Sequence, residues 1–250
     1  DKDNNDVTSN YNITFDLGTL EILARHITIK TNTSSKVYDD QIYFDEAYEV
    51  TVGTLGNNHK INVISKTEIL NVSSVDNVLE VAIFDEEDID VTQNYVITYE
   101  YGTIELTPRP MLIKPCDVEK IYDASELVAN STQILLDSNQ PEYLDIVDGH
   151  TLHTTFEGSI INVGVTNSSI SSYKIFDGDV DVTSNYIVTT VLGEIKITPR
   201  PIIIKPVDLQ KVYDGLELVA ENAISFIPTE NQDEYLLIVE GHEIKAKYID

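Results

Sequence analysis

The sequence predicts an all-β protein built as a tandem array of small antiparallel β-sandwich modules, and three observations predict it. One six-residue string occurs three times, starting at positions 6, 90 and 181, and a period of about ninety residues is the sign of a domain array. Apolar and polar residues alternate over short runs, the period of half-buried strands. Asp, Asn, Ser and Gly clusters separate about seven such runs per repeat, with no helix-length amphipathic stretch between them.

Composition agrees and narrows the function. Of 250 residues 42% are hydrophobic, enough to bury real cores, and abundant Tyr with no Trp favours strands and turns. Against 43 Asp and Glu stand 16 Lys and Arg, a net charge of -27 that repels phosphate backbones and anionic lipid surfaces. No nucleic-acid partner is expected, and without a run of eighteen apolar residues no direct membrane insertion either. Cys116 is the single cysteine, so no internal disulfide forms and stability must come from packing, bound cations or unusual cross-links. No signal-peptide pattern opens the segment; any leader or wall anchor would lie outside it.

The elements of a repeat follow in order. Two joints between successive repeats carry prolines, Thr107-Pro108-Arg109-Pro110 and Thr198-Pro199-Arg200-Pro201, running into Met111-Leu112-Ile113-Lys114-Pro115 and Ile202-Ile203-Ile204-Lys205-Pro206. Six of the eight prolines sit there, and proline fixes φ and extends its predecessor, so short semi-rigid joints and a stiff rod are expected. The corresponding stretch from Leu23 to Lys30 has no proline and is expected to bend more easily. Next comes a Lys-x-Tyr-Asp marker: Lys36-Val37-Tyr38-Asp39-Asp40, Lys120-Ile121-Tyr122-Asp123-Ala124 and Lys211-Val212-Tyr213-Asp214-Gly215. Residues 132–136 have the option of a short helical turn. Then stand Asn58-His59, Gly149-His150 and Gly241-His242.

Each repeat closes on the string Asp-Val-Thr-x-Asn-Tyr, ending in Tyr11, Tyr95 and Tyr186, followed by two alternating runs about a glycine, the pattern of a hairpin. Gly18, Gly102 and Gly193 fall at its turn, where a left-handed residue is expected and a side chain would clash. Alternation buries Ile104 and Leu106 with Glu105 outward, and likewise Leu20 with Ile22 and Ile195 with Ile197. Residues 26–109 and 110–200 are thus two complete modules. Residues 1–25 are the C-terminal part of a truncated module and 201–250 the N-terminal part of another.

The ordered set Ile121-Tyr122-Asp123, Gly149-His150, Asn162-Val163-Gly164, Asp177-Gly178-Asp179 and Asp181 through Tyr186, ending in the Thr-Pro-Arg-Pro joint, resembles the YDG and MBG-type immunoglobulin-like repeats of large bacterial surface proteins. The resemblance covers nearly the whole chain. Asp39-Asp40 and Asp123-Ala124 stand where the family has Asp-Gly, and Ser73 where it has Gly. The resemblance implies immunoglobulin-like modules, with β-grasp-like modules as the alternative, in an extracellular stalk, adhesin segment or fibre subunit attached to a cell surface or wall.

Candidate chemistry has a plainer counterpart at each place. Asp177, Asp179 and Asp181, and Asp85, Glu87 and Asp90 with their acidic neighbours, have the oxygen density that calcium takes, but they precede the repeated string, where Asp side chains cap turns, and no EF-hand spacing exists. His59, His150 and His242 recur once per module without a neighbouring Cys or His, so structural use is the stronger reading. The repeated tyrosines are read as buried rings with hydroxyls bonded at a module edge rather than sugar-stacking platforms. A Lys–Asn isopeptide of the kind found in similar Gram-positive surface modules would use Lys114 or Lys205 with Asn94 or Asn185. No nucleophile elbow or phosphate loop is present, and an enzyme is the least expected class. A spacer without cofactors, other than calcium if any, leads. Its partners are neighbouring modules and, in a fibre, other copies of itself. A module binding a host glycan or protein through the divergent segments 41–49 and 137–143 follows.

Overall fold

The structure is a computed structural model describing residues 1–137, 139–218, 224–225 and 233–245. The described chain is all-β, with strands broken only by three single 3-10 turns, and among the described residues no helix is long and apolar enough to cross a membrane. It forms two compact units, Asp1–Lys36 with Ile42–Leu106, and Val37–Gln41 with Thr107–Asp250. Five residues of the first repeat, including Tyr38 and Asp40, therefore belong to the second unit. Of the opening half anticipated over 201–250, residues 219–223, 226–232 and 246–250 lie outside those described, as does Ser138 in the divergent segment 137–143.

In the first unit, β1 (Arg25–Thr31) lies between β3 (Tyr48–Val52) and β7 (Tyr95–Glu100). β8 (Thr103–Thr107) lies between β2 (Ser34–Val37) and β5 (Ser73–Asp76), and β4 (Lys60–Lys66) pairs with β6 (Leu79–Phe84). The alternation of β1 buries Ile27, Ile29 and Thr31, and that of β6 buries Leu79, Val81 and Ile83. Ile27, Ile29, Val81, Ile83 and Tyr95 make the core, each large apolar side chain contributing about 1.5–3 kcal/mol.

The second unit repeats this plan. β9 (Arg109–Pro115) lies between β12 (Thr132–Ile134) and β17 (Tyr186–Thr190). A second sheet runs β10 (Val118–Ile121), β18 (Gly193–Thr198), β15 (Gly164–Asp177) and β13 (His150–Glu157), with β16 (Val180–Asp181) on β15. β11 (Leu127–Val128) pairs with β14 (Ser159–Ile160), and β19 (Lys205–Pro206) with β20 (Ile224–Ser225). The long β15 serves two neighbours, β18 along 164–168 and β13 along 169–177. In the first unit the same stretch is split into β5 and β6 at the buried Asn77, whose backbone amide donates to the Gly102 carbonyl and whose Nδ2 donates to the Asn32 carbonyl.

The all-β, sandwich-type architecture stands as the sequence predicts, and several details differ. β1 runs parallel to β7, β9 to β17 and β10 to β18. Alternation tells which face of a strand is buried but not which strand lies beside it, and a parallel neighbour needs a long crossover, here most of a repeat. The closing hairpin is consequently no hairpin, because β7 and β8, like β17 and β18, enter different sheets. Their glycines are not left-handed. A Cβ on Gly102 would collide with the Asn32 carbonyl oxygen and one on Gly193 would sit 2.5 Å from the Pro115 oxygen, whereas Gly18 has open space. Where the chain steps between sheets it runs flush against the first strand's end, so what it needs is the lack of a side chain.

Leu20 and Ile22 are fully exposed. β8 is buried by β2 and β5, elements N-terminal to it in its repeat, and residues 1–25 carry only the closing portion. Residues 132–134 form β12 and not a helical turn, because β9 offers them an open edge and so short a segment cannot sustain a helix alone. The third to fifth residues of the repeated string form a 3-10 turn, Thr8–Asn10, Thr92–Asn94 and Thr183–Asn185, and β7 and β17 start at the tyrosine that follows the last two.

Candidate functional site

The repeated histidine and tyrosine meet in both units. His59 Nδ1 lies 2.6 Å from the Tyr95 hydroxyl, which also accepts the Gly56 amide at 2.8 Å. His150 Nδ1 lies 2.7 Å from the Tyr186 hydroxyl, which accepts the Val147 amide at 3.2 Å. The rings meet edge to face with centroids 5.9 Å apart in each pair. β13 and β17 place the second pair, His150 opening one strand and Tyr186 the other.

On the second pair rests the marker segment 37–41. The Tyr38 ring is buried, 5.7 Å from Tyr186 and 6.2 Å from His150. Its hydroxyl donates to Asp40 Oδ1 at 3.0 Å and also meets buried Asn185. Burial above all, with Asp40 adding, pushes the Tyr38 phenol up to about 12; burial likewise raises that of Tyr186. Arg109 ties the segment down, donating to the Tyr38 carbonyl at 3.3 Å and to the Asp145 carbonyl at 2.6 Å.

The same device recurs one repeat further on. Arg200 donates to the carbonyls of Tyr122 at 3.2 Å and Leu237 at 2.6 Å, and the Tyr122 and His242 rings lie 5.9 Å apart. Arg25, at the joint without proline, instead donates to the Thr54 and Leu55 carbonyls. The residue after Tyr-Asp keeps a left-handed backbone in every copy, φ 61° at Asp40, 63° at Ala124 and 78° at Gly215, so the turn geometry survives the loss of glycine.

Asp40, His150 and Asp177 form one cluster, their ligand-type atoms within 4.8 Å of one another. Asp177 closes β15 directly opposite His150 on β13. His150 Nε2, in a side chain 1% exposed, stands 3.7 Å from Asp40 Oδ2 and has no hydrogen-bond partner. Such a set can hold a cation or a proton.

The calcium residues are placed otherwise than their spacing suggests. Among the described residues Asp177 groups with Asp40 and His150, not with Asp179 and Asp181. Asp181 Oδ1 accepts the Thr183 amide and hydroxyl at 3.1 and 2.6 Å, and Oδ2 accepts Lys174 at 2.9 Å; these bonds, the Thr183 hydroxyl first, hold its carboxyl down at about 2. Asp90 accepts the Thr92 amide and hydroxyl in the same way, and Asp85 accepts the amides of Glu87 and Ile89. Lys114 ends on Asp117 at 2.8 Å, while Asn185 lies at the Arg109 end of β9, five residues or about 16 Å along the strand. The structure does not bring Lys114 and Asn185 together. Sequence reasoning missed Asp40 and the bridging arginines, although the recurrence of Arg109 and Arg200 in one string was a signal for the latter.

Compared with protein-family models, with curated proteins and with solved structures, the chain matches none.

Proposed function

We propose that the chain is a structural spacer segment of an extracellular bacterial surface protein or fibre, without enzymatic activity. The observation that carries this reading is the connector built twice in the second unit: a joint arginine held between the marker carbonyl of one repeat and a loop carbonyl of the next, beneath a Tyr–His contact. Proline on either side of that arginine limits the backbone. What repeats is therefore frame and joint, as in linear arrays whose stability is local to each module and its neighbour. Electron microscopy of arrays with increasing numbers of repeats should show contour length growing by one constant step per repeat along a nearly straight path. Coiled, variable paths would sink the reading.

A module binding a glycan or host protein is the second reading. It is favoured by an open groove of about 370 Å³ in the first unit, lined by Lys30, Thr31, Asn32, Ala47, Tyr48 and Glu49, three of which lie in the divergent segment 41–49. A glycan and matrix-protein array with no saturable binder would remove it.

A further inference from the structure

We propose that Asp40, His150 and Asp177 form a binding site for a first-row divalent transition cation, zinc first among them, which clamps the marker segment 37–41 onto β13 and β15. Two independent observations meet there. The carboxylates of Asp40 and Asp177 converge on one point, their oxygens and His150 Nε2 lying within 4.8 Å of one another. That nitrogen belongs to a side chain 1% exposed and has no hydrogen-bond partner, a costly state for a buried polar atom unless something occupies the space before it.

The geometry suits a small ion. Two ligand atoms bound at about 2.1 Å to one tetrahedral ion stand about 3.4 Å apart, and the Asp40 Oδ2 to His150 Nε2 separation is 3.7 Å. Asp177 is exposed and Asp40 half-buried, so water has access to complete the shell. The partner of the other ring nitrogen is also in place. With Nδ1–H donated to the Tyr186 hydroxyl, the lone pair is left on Nε2, and such an outer bond is what orients a metal-binding imidazole. One imidazole and two carboxylates favour a borderline cation over calcium, which takes oxygens alone.

The cluster is not part of the repeated frame. The residue at the Asp40 position is Ala124 in the next copy and Gly215 in the one after. Ala124 also shows that alanine is accepted at this left-handed position, so Asp40→Ala removes a ligand while keeping the turn. The proposal does not depend on the spacer reading; it concerns only what holds 37–41 in place.

Isothermal titration of chelator-treated protein with zinc chloride and, separately, calcium chloride is the test. One equivalent of zinc should bind, calcium should not compete, and Asp40→Ala and Asp177→Asn should each weaken zinc binding by about tenfold or more. Nitrogen NMR of the wild-type imidazoles covers the case of a variant that fails to fold: zinc should shift His150 Nε2 strongly and leave His153 and His242 unmoved. No stoichiometric zinc binding, equal binding by Asp40→Ala, or a shift at another histidine would overturn the proposal.

Discussion

The pairs His59–Tyr95 and His150–Tyr186 are built alike, with the same ring geometry and the same backbone amide on the tyrosine oxygen, yet their surroundings differ. Over His150 lie Tyr38, Asp40 and the end of β15; over His59, among the described residues, the only ring is Tyr95. His150 is 8% exposed and buried, whereas His59 is only half-buried. The frame thus comes from within a repeat, and its cover comes from the marker of the repeat before. A pair that is structural in one setting gains a second face of chemistry in the other.

The largest way to break this comparison is Tyr38→Ala. Removing a ring 1% exposed should cost about 3–5 kcal/mol, confined to the second unit, with amide exchange at Ile27 and Ile83 in the first core unchanged. Urea titration followed by tyrosine fluorescence and site-resolved hydrogen exchange measures both. Gly102→Ala and Gly193→Ala test the shared step between sheets; each should lose about 1–3 kcal/mol because the carbonyl its Cβ meets is fixed backbone. A neutral result in one unit would show that the two steps are not equivalent.

Tyr95→Phe and Tyr186→Phe should each cost about 1–2 kcal/mol by leaving a histidine nitrogen and a backbone amide short of a partner. The loss should be larger at Tyr186, where water has less access. In the opposite direction, Ala124→Gly should stabilise by about 1 kcal/mol by relieving a left-handed alanine, measurable as a higher denaturation midpoint.

The smallest effect is the acid response of the turn caps. Asp181 and Asp90 both have folded carboxyls below the ordinary 3.8, so their contribution is complete above that value and is lost as pH falls through the folded one. For Asp181 the loss runs from about pH 4 to about pH 2. Lys174→Ala should move the Asp181 midpoint upward, followed by carboxyl carbon NMR, and leave Asp90 where it is, because the Thr92 hydroxyl and amide hold Asp90 without a lysine.

Much of the frame was legible. The alternation in Ile104-Glu105-Leu106 and Ile195-Lys196-Ile197 names buried and outward residues correctly, because pleating fixes side-chain direction from sequence alone. The capping role of Asp90 and Asp181 follows from residue chemistry within a few positions. Burial of the repeated tyrosines holds for Tyr38, Tyr95 and Tyr186 but not for Tyr11 and Tyr213, which are 68% and 93% exposed in the same strings, so it depends on tertiary cover and not on the string. The parallel partners of β1 and β9 did not follow, nor did the stepping of β7 to β8 between sheets, since neither changes the period of any strand. The acidic clusters misled for a related reason: nearness in sequence put Asp177 with Asp179, while the register of β13 against β15 put it with His150.

The sequence by itself determined that the chain is repetitive, acidic and all-β, and where its repeats and joints fall, because periodicity, charge and proline act locally. Only the tertiary structure decided which repeat covers which histidine. Asp40 and His150 are more than a hundred residues apart and share no pattern, and only the docking of 37–41 in the second unit brings that carboxylate to an unpartnered nitrogen.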